Sequence, residues 1–335
     1  MSESPLWVTE SDVVSLMDMG DAIRALEAGL RAEARGAASN MTKTHVEWSG
    51  HATLHAIGAV FTDQGFAGTK TWAHTPGGAT PLLILYDANT GALKAVVEAF
   101  ALGQMRTAAA SGVATNVLAA EDADELALIG TGKQSVSQAA AVAAVRSLRR
   151  VRVFGRDAGR RAQCAACVRD ELGIDAVETT TVADAVRNAR MITCVTRARE
   201  PFLSADLVVP GTHVNAVGAI TPGGAEVTHD LLARCTQIVA DSIAQAQRLS
   251  GELIGYLAHA PSGWDRVRSL ADVVSSGGRR ASDDDLTLFK SLGMGISDLS
   301  LGIEIYRRAA AAGLGRAFEQ PRKVAPRLRA AKMPT

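Results

Sequence analysis

A glycine-rich turn between a short apolar run and a helical pattern is the group of residues whose chemistry is easiest to define. Residues 126–129 are apolar and are followed by Gly130-Thr-Gly132 and then Lys133-Gln-Ser135. Gly130 permits a tight turn, and Gly132 lets backbone N–H groups approach a pyrophosphate at the positive end of a helix. Ser135 stands where the usual fingerprint has its third glycine. The pattern predicts a dinucleotide site that contains Gly130, Gly132, Lys133, Gln134 and Ser135.

The residues after the next predicted strand, residues 151–154, bear on the choice of cofactor. They are Gly155, Arg156 and Asp157. An acidic residue here accepts the ribose hydroxyls of NAD, whereas an arginine accommodates the 2′-phosphate of NADP. Arg156 favours NADP(H) because a guanidinium fork matches a phosphate dianion. NAD(H) stays open as the alternative, since the Asp157 carboxylate would repel that phosphate.

Three cations on predicted strands and a predicted helix precede the glycine turn: Lys43, Lys70 and Arg106. An enzyme that transfers a hydride to a small anionic substrate needs fixed cations to hold the substrate carboxylate. A surface salt bridge is the alternative interpretation for each of them.

Composition narrows the classes of function. The chain has 335 residues, 47% hydrophobic and 21% charged, as in ordinary globular proteins. Lys and Arg together number 35, as do Asp and Glu, so no nucleic acid or anionic membrane is expected as a partner. No apolar run is long enough to span a bilayer, and no signal peptide is visible, so we expect a cytoplasmic protein. The four cysteines predict neither a disulfide framework nor a metal site.

The order of predicted elements indicates two parts. The first ~118 residues contain antiparallel-style strands, whereas residues 119 to about 300 alternate strand and helix, which is typical of a doubly wound α/β sheet. Ligands of such sheets lie outside the carboxyl ends of the strands. Further buried strands are predicted at residues 176–179, 191–196, 213–217 and 237–241. Their carboxyl ends would bring Thr196, Val217, Gly218, Ala219, Asp241 and Ser242 close to the cofactor.

Several motifs in order make the chain similar to the ornithine cyclodeaminase and mu-crystallin family. They are Gly68-Thr-Lys70, Arg106-Thr-Ala-Ala-Ala-Ser, Ile129-Gly-Thr-Gly-Lys-Gln-Ser, Gly211-Thr-His-Val-Asn-Ala-Val-Gly218 with Pro222-Gly-Gly-Ala-Glu226, and Gly251-Glu-Leu253. The resemblance implies a Rossmann domain over residues 119–304 and a smaller mixed α+β substrate and dimerisation domain over residues 1–118 and 305–335. It also implies a homodimer that uses NAD(P)(H) on amino acids or their imines.

The resemblance assigns roles to individual residues. Arg106 and Lys70 match residues that bind the substrate carboxylate, and Lys43 approximately matches a further substrate-binding arginine. We expect Thr80, Arg106, Arg156 and Gly293 to contact the cofactor as well. His55 and Lys70 are the candidates for any proton transfer that remains.

One departure from the family pattern decides between the activities. Ornithine cyclodeaminases carry an aspartate two residues after the Val-Gly pair, and this chain has Ile220 there. An isoleucine cannot move a proton, which deaminative cyclisation requires, whereas reduction of an already protonated iminium mainly requires a hydride and a held carboxylate. We therefore expect an NAD(P)H-dependent imine reductase or amino-acid dehydrogenase. A cyclodeaminase with a relocated base and a non-catalytic binding protein are the alternatives. The substrate side chain stays open, although His45, His55 and His74 would suit a second carboxylate.

Overall fold

A computed structural model describes residues 4–48, 52–260 and 262–329 of the chain. The predicted domain ranges also include residues 1–3, 49–51, 261 and 330–335, which lie outside the described residues. Within the described ranges the strands form two sheets, one mixed and one parallel. Each sheet corresponds to one of the two parts that the sequence predicts.

The first sheet is mixed, with nine strands in the described part of the chain and the order β17-β1-β8-β7-β5-β4-β2, while β3 pairs with β4 and β6 with β5. Its strands are β1 (Leu6–Val8), β2 (Ala38–Asn40), β3 (Thr44–Trp48), β4 (Ala52–Phe61), β5 (Phe66–Thr75), β6 (Gly78–Ala79), β7 (Leu82–Asp87), β8 (Leu93–Glu98) and β17 (Arg316–Ala317). Adjacent strands from β2 to β8 are antiparallel, as predicted, whereas β1 runs parallel to β8.

Four helices accompany this sheet: α1 (Glu10–Leu16), α2 (Met19–Ala34), α3 (Phe100–Leu118) and α11 (Gly295–Ala312). Thr9 and Asp18 precede α1 and α2, and each residue caps its helix in a reciprocal capping box. The Glu10 carboxylate accepts hydrogen bonds from the backbone N–H groups of Phe100 and Ala101, so α1 fixes the start of α3. That start precedes Arg106 by six residues.

The second sheet is parallel throughout, with eight strands among the described residues in the order β11-β10-β9-β12-β13-β16-β14-β15. Its strands are β9 (Glu125–Ile129), β10 (Arg150–Phe154), β11 (Asp175–Glu178), β12 (Met191–Cys194), β13 (Thr212–Ala216), β14 (Cys235–Ala240), β15 (Val267–Ser269) and β16 (Leu286–Lys290). The strand order reverses between β9 and β12, and such a switch point is where open α/β sheets bind ligands. The sequence did not predict β15 or β16. In the sheet, β16 lies between β13 and β14.

Helices cover both faces of the parallel sheet, as the doubly wound prediction requires. Leu126 and Leu128 of β9 pack with residues of the helices over residues 135–143 and 158–172. Ala127 and Ile129 pack on the opposite face with residues of the helices between residues 182 and 257. The helices of this part are α4 (Ser135–Ala143), α5 (Ala158–Leu172), α6 (Val182–Val186), α7 (His229–Arg234), α8 (Ile243–Leu249), α9 (Gly251–Leu257) and α10 (Leu270–Ser275). In the part of the chain that the structure describes, no helix has both the length and the apolar character to cross a membrane.

Helix α11 follows the parallel sheet in sequence but packs against the first sheet. A Cβ placed at Gly295 would lie 1.8 Å from the carbonyl oxygen of Gly58 in β4, and one at Gly302 would lie 2.1 Å from Leu83 Cδ2 in β7. Both glycines are therefore needed for this close approach. The predicted division between residues 304 and 305 falls inside α11, and we propose a boundary before Gly295 instead.

Candidate active site

The glycine turn lies at the carboxyl end of β9, beside the switch point. Gly130 has φ +120°, and a Cβ at this position would lie 2.7 Å from the carbonyl oxygen of Val195, the residue after β12. A side chain is therefore excluded there by both backbone conformation and space. Ser135 opens α4 and donates its hydroxyl to the carbonyl oxygen of Gly132 at 2.7 Å, while Gly132 itself is exposed. The turn is thus held tightly and its outer side is open.

The flanking residues of the predicted dinucleotide set differ in their surroundings. The Lys133 ammonium lies 5.8 Å from the centroid of the Phe100 ring, at the start of α3. Gln134 is half-buried and precedes α4. Thr80 lies in the exposed loop between β6 and β7, on the first sheet.

The end of β10 shows why Gly155 is a glycine. A Cβ there would lie 2.6 Å from Cγ2 of Thr131 in the glycine turn, so the two loops touch. Arg156 follows with an exposed side chain. Asp157 is the N-cap of α5, and its carboxylate accepts a hydrogen bond from the backbone N–H of Arg160 at 2.8 Å. The acidic residue at this edge is thus engaged in helix capping.

The carboxyl ends of β12 and β13 come together at the same edge. A Cβ at Gly218 would lie 2.0 Å from the carbonyl oxygen of Thr196, so only glycine fits between these two strand ends. Val217 and Ala219 are buried on either side of it. Both strand ends are held by the carboxylate of Glu226, which accepts from the N–H groups of Thr196 and Gly218 at 2.6 and 2.8 Å. Sequence analysis named Glu226 only as part of a motif.

Lys70 and Arg106 meet at one buried carboxylate. Lys70 lies on β5 and Arg106 on α3, and both contact Oδ1 of Asp298 in the first turn of α11; the distance from Arg106 Nε is 3.2 Å. Sequence analysis missed Asp298. A signal was present, because Asp298 has helical spacing with the buried residues Leu301 and Ile305, and a carboxylate on a buried helix face needs a partner.

Lys43 adds a third cation, and burial together with the Arg106 charge lowers the pKa of each of the two lysines. Burial and the Arg106 charge lower the pKa of Lys70 to about 8, although Asp298 opposes this shift. Burial and the same guanidinium also lower the pKa of Lys43. Among the described residues, Asp298 is the one carboxylate in direct contact with Lys70 and Arg106. One negative charge does not balance three cations, so the group is suited to an additional anion.

The backbone at Gly293 lies close to the Arg106 guanidinium and leaves no room for a side chain. Gly293 has φ +85°, and a Cβ there would lie 2.8 Å from Arg106 Nη1. The buried carboxylate of Asp241, at the end of β14, accepts from the N–H groups of Leu292 and Gly293. This contact joins the loop before α11 to the parallel sheet. Arg106 and its neighbours therefore lie at the carboxyl edge of that sheet, where the cofactor is predicted.

Aromatic rings extend from Lys70 along the first sheet. The Lys70 ammonium lies 5.1 Å from the Trp72 ring centroid, Trp72 stacks on His55 at 4.6 Å, and His55 stacks on His45 at 5.5 Å. Burial and the Lys43 charge lower the pKa of His55 to about 4, so this imidazole is neutral at pH 7. A neutral imidazole can accept or relay a proton, but it adds no charge for a second carboxylate.

Comparisons with known proteins bear on the family and the fold of this chain. Residues 4–313 match the model of the ornithine cyclodeaminase/mu-crystallin family. An alanine dehydrogenase of Archaeoglobus fulgidus is 29% identical over 320 residues, which are 92% of this chain and 97% of the relative.

Two solved structures are similar over almost their whole length. The Delta(1)-pyrroline-2-carboxylate reductase of Thermococcus litoralis, in complex with NADH and L-proline, has a TM-score of 0.88 at 26% identity, with 93% of this chain and all of that chain covered. An archaeal alanine dehydrogenase dimer with bound NAD has a TM-score of 0.87 at 28% identity, with 94% and 99% covered.

Proposed function

Because the chain belongs to the ornithine cyclodeaminase/mu-crystallin family, we propose that it is an NAD(P)H-dependent oxidoreductase acting on small amino or imino acids. In this reaction an α-imino acid is reduced to the amino acid, or the amino acid is oxidised in the reverse direction. The observation that carries the proposal is the contact of Lys70 and Arg106 with the same carboxylate, Asp298, beside the carboxyl edge of a doubly wound sheet. A nicotinamide supplies the hydride when bound.

The chain's own residues bind and orient the substrate. Arg106 presents a planar fork that matches a carboxylate, and Lys70 adds a second charge from a different element. Asp298 fixes the two cations relative to each other, so the carboxylate enters a preorganised site rather than one that must rearrange. An iminium nitrogen already carries its proton, so reduction does not require the base that Ile220 has replaced.

For the cofactor we propose a preference for NADPH over NADH. Two features of the β10 edge support it. The side chain of Arg156 is exposed, and the carboxylate of Asp157 is engaged in capping α5. A phosphate at this edge would meet a free guanidinium and a carboxylate that already accepts a backbone donor.

We also propose that the protein is a homodimer. Three large apolar side chains, Val46, Trp48 and Leu54, are exposed on neighbouring strands β3 and β4. Val46 pairs directly with Leu54, so the three share one face, opposite the face of His45 and His55. In a monomer, an exposed apolar patch of this kind on a sheet would favour aggregation. A second copy of the chain would cover it.

The activity is tested by oxidation of NADPH and NADH with a panel of 2-oxo acids plus ammonia or methylamine, together with cyclic imino acids. We expect turnover with some members of the panel. Arg106→Lys should lower kcat/KM about 10-fold or more, because an ammonium cannot reproduce a bidentate fork. Arg24→Lys, on the exposed side of α2, is the matched control. Cofactor binding without turnover on the whole panel would favour a non-catalytic binding protein instead.

A further inference from the structure

A single buried carboxylate holds the ends of two neighbouring strands of the parallel sheet. Glu226 is fully buried, and its Oε1 accepts from the backbone N–H and the hydroxyl of Thr196 at 2.6 and 2.8 Å. Its Oε2 accepts from the N–H groups of Gly218 and Ala219 at 2.8 and 3.2 Å. Thr196 follows β12 and Gly218 follows β13, so each oxygen serves one strand end.

The donors around Glu226 require it to act as an acceptor through both oxygens. Burial raises the pKa of this carboxyl, while the Lys290 charge and the hydrogen bonds from Thr196 and Gly218 oppose the shift. A protonated carboxyl would direct an O–H toward groups that mostly donate, which would leave a buried donor unpaired. The carboxylate form satisfies all four contacts.

A second carboxylate, that of Glu252, binds the backbone at Glu226. Glu252 Oε2 accepts from the backbone N–H groups of Glu226 and Val227 at 2.8 and 3.1 Å, and Glu252 Oε1 pairs with the fully buried ammonium of Lys290 at 2.5 Å. Lys290 is the last residue of β16, which lies next to β13. The backbone of Glu226 is therefore joined, through Glu252 and Lys290, to the end of β16.

The position of these strand ends defines which half of a dinucleotide they would meet. The glycine turn after β9 is the pyrophosphate position, and the end of β10 is the adenosine-ribose position. The β12 and β13 ends lie on the other side of β9 and so belong to the nicotinamide half. Among the described residues, the hydrogen bonds of the Glu226 side chain run to Thr196, Gly218 and Ala219, all on the nicotinamide side.

We propose that Glu226 is a positioning residue for the nicotinamide half of the bound dinucleotide, acting by fixing the backbone of Thr196, Gly218 and Ala219. This inference rests on the proposed use of NAD(P)(H). It assigns a role to the Pro222-Gly-Gly-Ala-Glu226 motif, and to the Gly251-Glu-Leu253 motif that supports it. Both motifs are distant from the glycine turn in sequence.

The test compares ligands that do and do not contain nicotinamide. In Glu226→Gln an amide NH₂ replaces one acceptor oxygen and faces N–H donors. The backbone N–H groups at one of the two strand ends then lose their acceptor. Titration of NADH and NADPH, followed by nicotinamide fluorescence and calorimetry, should show dissociation constants raised about 10-fold or more. ADP and its 2′-phosphate, which lack both the nicotinamide and its ribose, should bind within about twofold of wild type in calorimetry, since their contacts lie away from the substitution.

A matched control uses the same substitution at the opposite edge of the same sheet. Glu125 is a buried carboxylate at the start of β9 that pairs with Arg149 and Arg152. Glu125→Gln should leave the dissociation constants of NADH and ADP unchanged. Where Glu226→Gln does not fold, Glu226→Asp serves instead, because it keeps the charge but is too short to reach both strand ends.

The outcomes separate this inference from the proposed function. If wild-type protein binds neither NAD(P)H nor ADP, the proposed function is wrong. If wild type binds them and the Glu226 variant weakens all ligands equally, or weakens none, the positioning role is wrong and Glu226 only stabilises the fold. Selective weakening of the nicotinamide-containing ligands supports the inference.

Discussion

The guanidinium Nε of Arg106 lies 3.2 Å from Oδ1 of Asp298, and the Lys70 ammonium contacts the same oxygen. The other oxygen, Oδ2, is buried and has no hydrogen-bond partner among residues 4–48, 52–260 and 262–329. One carboxylate oxygen therefore sets the spacing of two cations that come from different elements. Because one negative charge cannot neutralise both, the pair keeps its attraction for a substrate carboxylate.

Removal of that shared counter-charge should destabilise the protein strongly. In Asp298→Asn two buried cations lose their direct anionic contact, and breaking a buried ion pair in this way costs about 3–5 kcal/mol. Urea unfolding measures the difference in the free energy of unfolding. Glu304→Gln on the same helix removes only a partly exposed pair with Arg308, for which about 0–1 kcal/mol is expected. Equal stability of Asp298→Asn and wild type would contradict a shared role for Asp298.

Activity should depend on the ionisation of Lys70. Its pKa is lowered to about 8, chiefly by burial and by the Arg106 charge. Below that pH the ammonium is present and holds the substrate carboxylate; above it the amine is neutral, so kcat/KM should fall as the pH rises through about 8. Lys70→Arg keeps its charge and should move this decline to higher pH. The comparison uses the same substrate for both proteins, so that titration of the substrate cancels. Identical pH profiles would exclude Lys70 as the titrating group.

Cofactor preference should respond to one exposed arginine. Arg156→Ala should raise the dissociation constant of NADPH about 10-fold or more, the loss expected for a charge-assisted contact, and should leave NADH unchanged. Arg187→Ala, another exposed arginine of the same domain, is the control. Tighter binding of NADH than of NADPH by wild type would overturn the proposal and make Asp157 the ribose ligand.

The exposed apolar patch on β3 and β4 should mediate dimer formation. Leu54→Asp places a charge at a position that pairs with Val46, and desolvating that charge in an interface is costly. Light scattering after size exclusion should report a dimer for wild type and a monomer for this variant. Val14→Asp alters an exposed apolar residue of α1 and should stay dimeric. A monomeric wild type at micromolar concentration would refute the proposal.

Ornithine should not be cyclised. Ile220 lies exposed in the loop after β13 and offers no group that moves a proton. Release of proline and ammonia from ornithine with catalytic NAD(P)+ should stay below ~1 per second, the lower end of typical enzyme turnover. Ile220→Asp should impair imine reduction without creating this activity, because a carboxylate near the nicotinamide changes the local field. Proline formation at enzymatic rates by the wild type would mean that another residue supplies the base.

The sequence alone determined the features that depend on residues close together in the chain. The glycine turn and the alternation of strand and helix depend on residues a few positions apart, so spacing and residue type were enough to predict them. The family motifs likewise singled out Lys70 and Arg106. The absence of an acidic residue at position 220 is also visible without a structure.

Only the tertiary structure decided which distant residues meet. Asp298 follows Lys70 by 228 positions, and no local pattern could pair them. Glu226 came from a motif whose purpose became clear when both its oxygens were found on the ends of β12 and β13. Strand β16 lies between β13 and β14 although it follows both in sequence. In each case burial of polar groups forces specific long-range partners, and those partners depend on how the two sheets and α11 pack together.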